Sequence, residues 1–270
     1  MRHEAPGGNS PRPALVAPKQ GEGGFTLIEI AICLAIIGFA LVAIIGVLPL
    51  GMNAQRANRE ETVINQDATV LLNAIRSGAQ GIDYLTNYVY AITNYRVFYY
   101  NNGSVTPFTQ GWTTSDYLTN GANIVGILST PEFTDNQQPA VYPPMTPPLF
   151  KEGYSNHVVA YVRSISGLAA EKPPQNNQIM REDTLTYRVF CVNAGMPMAT
   201  NVPYQGFTKQ LAGNQRELRL TFLWPQLPNG KLGVGRQTYR VTVPGQIVLQ
   251  RQTGYGDFYQ YQPQIFTNTP

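Results

Sequence analysis

A long uninterrupted apolar segment lies near the N-terminus of the chain. Residues 30–48 are 19 consecutive positions with no charged residue, no Asn or Gln, no Ser or Thr and no Pro. As an α-helix rising about 1.5 Å per residue, this segment would span about 28 Å, close to the ~30 Å hydrocarbon thickness of a bilayer. The pattern predicts a transmembrane helix over residues 25–51.

Three residues of this helix have a predicted packing role. Gly38 and Gly46 are eight positions apart, and therefore on roughly one face, where small residues let helices approach closely in lipid. Pro49 lacks the amide hydrogen that a helix needs, so residues 49–51 are predicted to form a bend or a locally melted turn.

After the turn, the pattern changes to that of an amphipathic helix over residues 52–80, ending near Gly78 and Gly81. The apolar stripe needs a partner, so this helix is expected to dock on the rest of the protein. The apolar stripe consists of Ile64, Ala68, Leu71, Leu72 and Ile75. The side predicted to face solvent consists of Arg56, Arg59, Glu60, Glu61 and Asp67.

From His157 onwards, the apolar period becomes two, which indicates strands. The predicted strands cover residues 158–165, 183–193, 217–224 and 237–243, with a turn at Pro228-Asn229-Gly230 before the last. Because one face of each strand is apolar, an antiparallel sheet should lie on the amphipathic helix. The predicted fold class is α+β: a long N-terminal helix, half membrane and half amphipathic, packed on an antiparallel sheet.

The globular domain is expected to span residues 81–270 and to begin with a long irregular part, 81–156, that carries some strands of its own. Residues 84–100 are rich in Tyr, and Asn101-Asn102-Gly103 is a turn signal. Residues 140–149 contain two Pro-Pro pairs and are expected to be extended. No element is assigned to the tail, residues 255–270.

Residues 1–24 form a Gly- and Pro-rich, weakly basic segment that is expected to be a leader on the cytoplasmic side. An ordinary signal peptide would have a shorter apolar stretch with a small-residue cleavage site after it. A lipoprotein signal does not fit either, because Ile rather than a small residue precedes Cys33. An uncleaved membrane anchor fits the length of the apolar run but leaves Gly24 and Glu29 unexplained.

Glu29 is the one acid at the edge of the apolar segment. A carboxylate near hydrocarbon is costly unless it is paired, so such residues are functional by default. The alternative is an interfacial Glu that extends its carboxylate to the headgroups. Cleavage after Gly24 would create an ammonium at Phe25, four residues away, and in a bundle of helices this group of a neighbouring subunit could pair with Glu29. Such a pair would fix the axial register.

The stretch Gly24-Phe25-Thr26-Leu27-Ile28-Glu29, followed by the apolar run, resembles the precursors of type IV pilins and of the pseudopilins of type II secretion. The resemblance implies cleavage between Gly24 and Phe25 by a prepilin peptidase and N-methylation of Phe25. A closer similarity, to minor pseudopilins of the Verru_Chthon cassette type, is carried by Phe39-Ala40-Leu41, Leu48-Pro49-Leu50-Gly51, Trp224-Pro225 and Pro228-Asn229-Gly230. Major pseudopilins carry an acidic calcium site, but only Asp257 follows Glu217 here, so no metal is expected.

The resemblance also implies the partners and the compartment. The partners would be prepilin peptidase, other pilin or pseudopilin subunits, an assembly-platform membrane protein and inner-membrane lipid. The subunit would cross the inner membrane once with its C-terminal domain in the periplasm. It would then enter a filament as a minor structural subunit rather than act as an enzyme. Glu29→Ala is expected to be processed but not assembled.

The composition and the reactive side chains of the chain mainly argue against particular functions, namely nucleic-acid binding and catalysis. Charged residues make up 13% of the chain and the net charge is +3, without a basic cluster, so nucleic acid is an unexpected partner. Cys33 and Cys191 are not expected to pair, and His157 has no catalytic motif around it, so no cofactor or catalytic residue is predicted. A DNA-binding or adhesive pilin remains the alternative, with a candidate face formed by Arg163, Arg188, Arg219 and Arg240.

Overall fold

The computed structural model describes residues 24–78, 83–100, 102–114, 117–135, 153–166, 184–196, 213–252 and 256–266. The helices are α1 (Leu27–Ser77), a short 3₁₀ helix (Asp83–Asn87) and α2 (Gly121–Leu128). The strands are β1 (Val89–Tyr99), β2 (Val105–Thr113), β3 (Phe133–Asp135), β4 (Gly153–Arg163), β5 (Thr186–Gly195), β6 (Gln215–Gln226), β7 (Leu232–Pro244), β8 (Gln246–Gln252) and β9 (Gly256–Gln262).

Helix α1 is 51 residues long and continues through Pro49. The locally melted turn, one of the two alternatives predicted for residues 49–51, is therefore wrong, and the other alternative, a bend, stays a prediction. Proline removes a single amide donor, and the turns on both sides of it are helical. The chain divides into two compact units, residues 1–55 and 56–270, which are described separately below.

Seven strands form the main antiparallel sheet, in the order β2-β1-β4-β5-β6-β7, with β3 paired to the N-terminal end of β4. The strongest sequence signal was strict alternation, and it is confirmed in β5 and β6. In β6, every second residue from Arg216 to Trp224 is buried, and the residues between them are half-buried. The turn at Pro228-Asn229-Gly230 is also confirmed, with Gly230 at φ 77°.

The buried face of the sheet is joined across strands by aromatic side chains. The ring of Phe222 on β6 lies 5.5 Å from that of Tyr187 on β5 and 5.5 Å from that of Tyr239 on β7, the latter in an edge-to-face arrangement. Such pairs stabilise a core by about 0.5–1.5 kcal/mol beyond the area that they bury. These three rings link β5, β6 and β7 across the buried face of the sheet.

The C-terminal half of α1 packs on this face, as predicted. Its apolar stripe is buried, with Leu72 half-buried at the margin. At the far edge of the sheet, Asn65 accepts hydrogen bonds from Gln237 and from the hydroxyl of Tyr239. One prediction about this helix is wrong: Asp67, expected in solvent, is completely buried.

The segment predicted to be irregular contributes regular structure to the main sheet. Strands β1 and β2 form a hairpin, paired from Ala91 with Thr113 to Tyr99 with Val105. Gly103, at φ 80°, closes the turn between them. Aromatic and β-branched residues favour strands, but β1 has a bulge near its start and polar residues on both faces, so its period-two pattern is weak.

Two further elements complete the core of this unit. Helix α2 begins at the N-cap Asn120, whose side chain accepts a hydrogen bond from the amide of Asn123, and most of its residues are buried. Strand β9 pairs with β8 in a separate two-stranded sheet and places Tyr261 in the core. The predicted leader to residue 23, the Pro-rich residues 140–149, and residues 255 and 267–270 of the tail lie outside the described residues.

Candidate functional site at the start of helix α1

The residues Gly24, Phe25 and Thr26 precede the first helical residue, Leu27, and have no helical conformation. All three are exposed, and the Phe25 side chain is 85% exposed. Among the described residues, no atom lies within 4 Å of a Cβ placed on Gly24. The Gly24–Phe25 peptide bond is thus accessible, and it lies two residues ahead of the helix.

Thr26 and Glu29 form a reciprocal cap at this helix start. The amide and the hydroxyl of Thr26 each donate a hydrogen bond of 2.8 Å to Oε2 of Glu29. In return, the Glu29 amide donates to the Thr26 hydroxyl oxygen, at 3.4 Å. This is a capping box, in which an N-terminal Thr and a Glu three residues later satisfy each other's free amides.

Sequence reasoning chose Glu29 for its charge and missed Thr26. The signal was present, since Thr-x-x-Glu directly before an apolar run is the sequence pattern of a capping box. The structure therefore gives Glu29 a partner within its own chain. Within the described part of the chain, Oε1 of Glu29 accepts no hydrogen bond, so one carboxylate oxygen is left for a second donor.

The apolar segment beyond the cap is exposed along its whole length, as a membrane or filament segment would be in an isolated chain. By length and composition, α1 can cross a membrane, and among the described residues it is the one helix that can. Gly38 and Gly46 meet no other atoms within 4 Å of a Cβ position, so their predicted role in helix packing stays a prediction. Cys33 is exposed on the same segment.

A second polar site lies in the unit of residues 56–270, centred on Asp67. Its carboxylate accepts hydrogen bonds from the amides of Ile165 and Ser166, at 2.9 and 2.7 Å, and from the hydroxyl of Tyr187, at 2.8 Å. These donors come from the segment directly after β4 and from β5. The Asp67 side chain therefore ties α1 to two strands of the sheet.

Burial dominates the electrostatics of this second site. It raises the pKa of the Asp67 carboxyl, although the hydrogen bonds from Ser166, Ile165 and Tyr187 oppose the rise. The pKa of Tyr187 is raised well above its ordinary value by burial and by the neighbouring carboxylate. The site is closed to solvent, so its arrangement suits structural anchoring rather than chemistry on a ligand.

The arginines proposed as a binding face are largely engaged with their neighbours. The guanidinium carbon of Arg188 lies 5.0 Å from the ring centre of Tyr161, and its Nη2 donates to the carbonyl of Gly230. Arg163 lies over the ring of Tyr90. Arg219 forms ion pairs with Glu132 and Glu217. Such contacts are typical of a solvated sheet surface, and Arg240 is exposed.

The remaining candidates for chemistry do not come together. His157 is exposed on β4, whereas Cys191 is buried on β5, where burial raises the pKa of its thiol. Among the residues that the structure describes, no three His, Cys, Asp or Glu side chains are grouped as metal ligands would be. The Gly-rich start of β7 packs closely on Trp224 and Pro225, which leaves no room for a side chain at Gly233 or Gly235.

Comparison with known proteins gives one finding, at the site described above. The family model of the prokaryotic N-terminal methylation motif matches residues 19–45, which include the capping box and most of the apolar segment. No curated protein and no solved structure matches the chain. Proteins with this motif are structural subunits that prepilin peptidase processes. The chain thus carries the N-terminal methylation motif at residues 19–45, followed by an α+β pilin-like arrangement, consistent with the type IV pilin and pseudopilin family.

Proposed function

We propose that this chain is a minor structural subunit of a type IV pilus-like or type II secretion pseudopilus filament. Prepilin peptidase cleaves its precursor between Gly24 and Phe25 and methylates the new amine of Phe25. The observation that carries the proposal is the coincidence of the matched motif with an accessible Gly24–Phe25 bond and one acid, Glu29, at the start of an uncharged helix.

In this proposal, the apolar half of α1 has two successive environments. It first holds the subunit in the inner membrane, with the β-rich domain on the periplasmic side. It then packs against the same helix of other subunits, guided by the assembly-platform protein. Its exposed apolar surface needs cover in both states, because a helix that is apolar all round is stable only when buried.

Glu29 pairs with the Phe25 amine of a neighbouring subunit in the assembled filament. A carboxylate and an ammonium that meet in an apolar surrounding offset each other's loss of hydration, and an unpaired charge there is strongly unfavourable. The Oε1 atom of Glu29 is available for this second partner while Oε2 holds Thr26. The pair would thereby set the axial position of each subunit.

Mass spectrometry of the mature N-terminus, on protein isolated from cell membranes, tests the proposal. The expected chain begins at Phe25 and carries one methyl group on its amine. Gly24→Leu is the matched variant: the site of its new side chain is empty, so the chain should fold normally and remain uncleaved. An intact Met1 in the wild type, or a cut at another bond, would refute the proposal.

A further inference from the structure

We propose that Thr26 is a positioning residue for the cleavage reaction. Its capping box with Glu29 ends helix α1 at a fixed point and holds the Gly24–Phe25 bond outside the helix, in a form that a peptidase can bind. This inference rests on the proposed function, because it concerns the same cleavage. It assigns the cap a role separate from the charge of Glu29.

The geometry around the bond supports this role. Proteins that bind peptides commonly do so through an extended backbone, whose amides and carbonyls must be free to pair with the partner. A helix would occupy these groups in its own hydrogen bonds. Gly24 and Phe25 precede the helix, and the first helical hydrogen bond described runs from the amide of Ile30 to the carbonyl of Thr26.

The cap is needed because the helix start lies beside an apolar segment. The first four amides of any helix lack partners within it, and in hydrocarbon each unsatisfied amide costs several kcal/mol. Without a cap, the first turn would fray, and the helix would start at different residues in different molecules. Thr26 and Glu29 satisfy each other's amides, so the distance from the Gly24–Phe25 bond to the first helical residue is constant.

The chemistry of the cleaved bond is ordinary hydrolysis. Water supplies a hydroxyl to the carbonyl carbon of Gly24 and a proton to the nitrogen of Phe25, and the carbon–nitrogen bond between them breaks. Gly24 is left as a carboxylate and Phe25 as an ammonium. Thr26 takes no part in these bond changes, so its effect must come through the position and conformation of the bond.

The cap and the charge of Glu29 can be separated by substitution. Gln can replace Glu in a capping box, because its amide oxygen accepts the same hydrogen bonds. Glu29→Gln therefore keeps the cap and removes the charge. At position 26, Val keeps the shape of Thr without its hydroxyl, whereas Asn is a strong N-cap of different chemistry.

The experiment measures the initial rate at which purified prepilin peptidase cleaves the full-length precursor in membranes, for wild type and for the variants Thr26→Val, Thr26→Asn and Glu29→Gln. In parallel, ¹³C chemical shifts of Leu27 and Ile28 in detergent report the helicity of the first turn. Thr26→Val is expected to lower the cleavage rate about five- to tenfold, as N-cap losses predict, and to reduce the helical shifts. Thr26→Asn and Glu29→Gln should retain both.

Three results would overturn the inference. One is cleavage of Thr26→Val at the wild-type rate while its first turn has frayed. A second is slow cleavage of Thr26→Asn with a fully helical first turn, which would mean that the peptidase recognises the Thr26 hydroxyl directly. A third is an unchanged first turn in Thr26→Val. A wild-type precursor that is not cut between Gly24 and Phe25 would instead refute the proposed function, and this inference with it.

Discussion

The hydroxyl of Tyr187 donates a hydrogen bond of 2.8 Å to Oδ2 of Asp67, across 120 residues of chain. Together with the amides of Ile165 and Ser166, this contact fixes the rotation and the height of the C-terminal part of α1, from residue 56 onwards, on the sheet. A carboxylate that accepts three hydrogen bonds cannot shift along the sheet without breaking them. The part of α1 that belongs to the unit of residues 56–270 is therefore attached to the sheet at a defined register.

Asp67→Ala is expected to lower the free energy of unfolding of the domain by about 3 kcal/mol, because it leaves two amides and a phenol buried without their acceptor. Urea unfolding of the full-length protein in detergent, followed by the fluorescence of Trp112 and Trp224, measures the change. Glu61→Ala is the control, since this acid is exposed on the same helix and its loss should cost no more than about 0.5 kcal/mol. Equal effects of the two substitutions would contradict the anchoring role.

The same residue predicts a pH dependence. Burial raises the pKa of Asp67, so the folded state holds this proton more tightly than the unfolded state. Raising the pH from the ordinary aspartate value of 3.8 through the raised folded pKa must then remove stability. We expect the stability of wild type relative to Asp67→Asn to fall over this interval, measured by urea unfolding at a series of pH values. A relative stability that rises with pH would show that the hydrogen bonds outweigh burial.

Glu29→Gln should separate maturation from assembly. The variant keeps the cap to Thr26, so we expect it to be cleaved and methylated like wild type. It cannot neutralise a buried ammonium, so its incorporation into filaments should fall to background. Glu29→Ala loses the cap and the charge together and is expected to be processed more slowly and not assembled.

Immunoblots of sheared filaments and of membranes measure the two steps separately. Glu61→Gln is the control for the general effect of removing an acid from α1, and it should enter filaments normally. Normal incorporation of Glu29→Gln would exclude the charge pair.

Gly235→Ala is expected to destabilise the domain by about 1–3 kcal/mol. A Cβ at this position would lie 2.5 Å from the indole ring of Trp224, which is itself buried and faces Gly235 across the β6–β7 pair. Gly111→Ala is the matched control within a strand, because its Cβ would meet only the carbonyl oxygen of Ile92, at 4.0 Å. Urea unfolding compares the two, and an unaffected Gly235→Ala would mean that the Trp224 ring can move aside.

The local periodicity of the chain was enough to predict the two halves of α1, though not their continuity through Pro49, and strands β4 to β7. The alternation at Tyr187, Val189 and Cys191 indicates a strand with one buried face. The long uncharged apolar run is by itself sufficient to indicate a helix. Strands β1 and β2 gave a weaker signal because polar residues such as Asn94 are buried among their apolar ones. Their burial depends on partners elsewhere in the chain, which a local pattern does not contain.

The two polar sites were missed for different reasons. Thr26 belongs to the Thr-x-x-Glu pattern of a capping box, which is visible in the sequence. It was missed because Glu29 was interpreted by its charge alone. Asp67 falls on the apolar stripe by spacing, three residues after Ile64 and four before Leu71, so its burial was predictable from position. Its donors, however, lie 98 to 120 residues away in the chain, and only the folded sheet brings them to it.

Strand β9 places Phe258, Tyr259 and Tyr261 in the core, where the Tyr261 hydroxyl donates to Asn193. Consequently, the core can close only after the ribosome has synthesised the chain up to Tyr261. Until then, the apolar face of α1 and the early strands have no complete cover, although the membrane segment has long been synthesised. Folding of this domain is therefore a late event in its biogenesis, and a nascent chain that stops before Tyr261 should be a substrate for proteases.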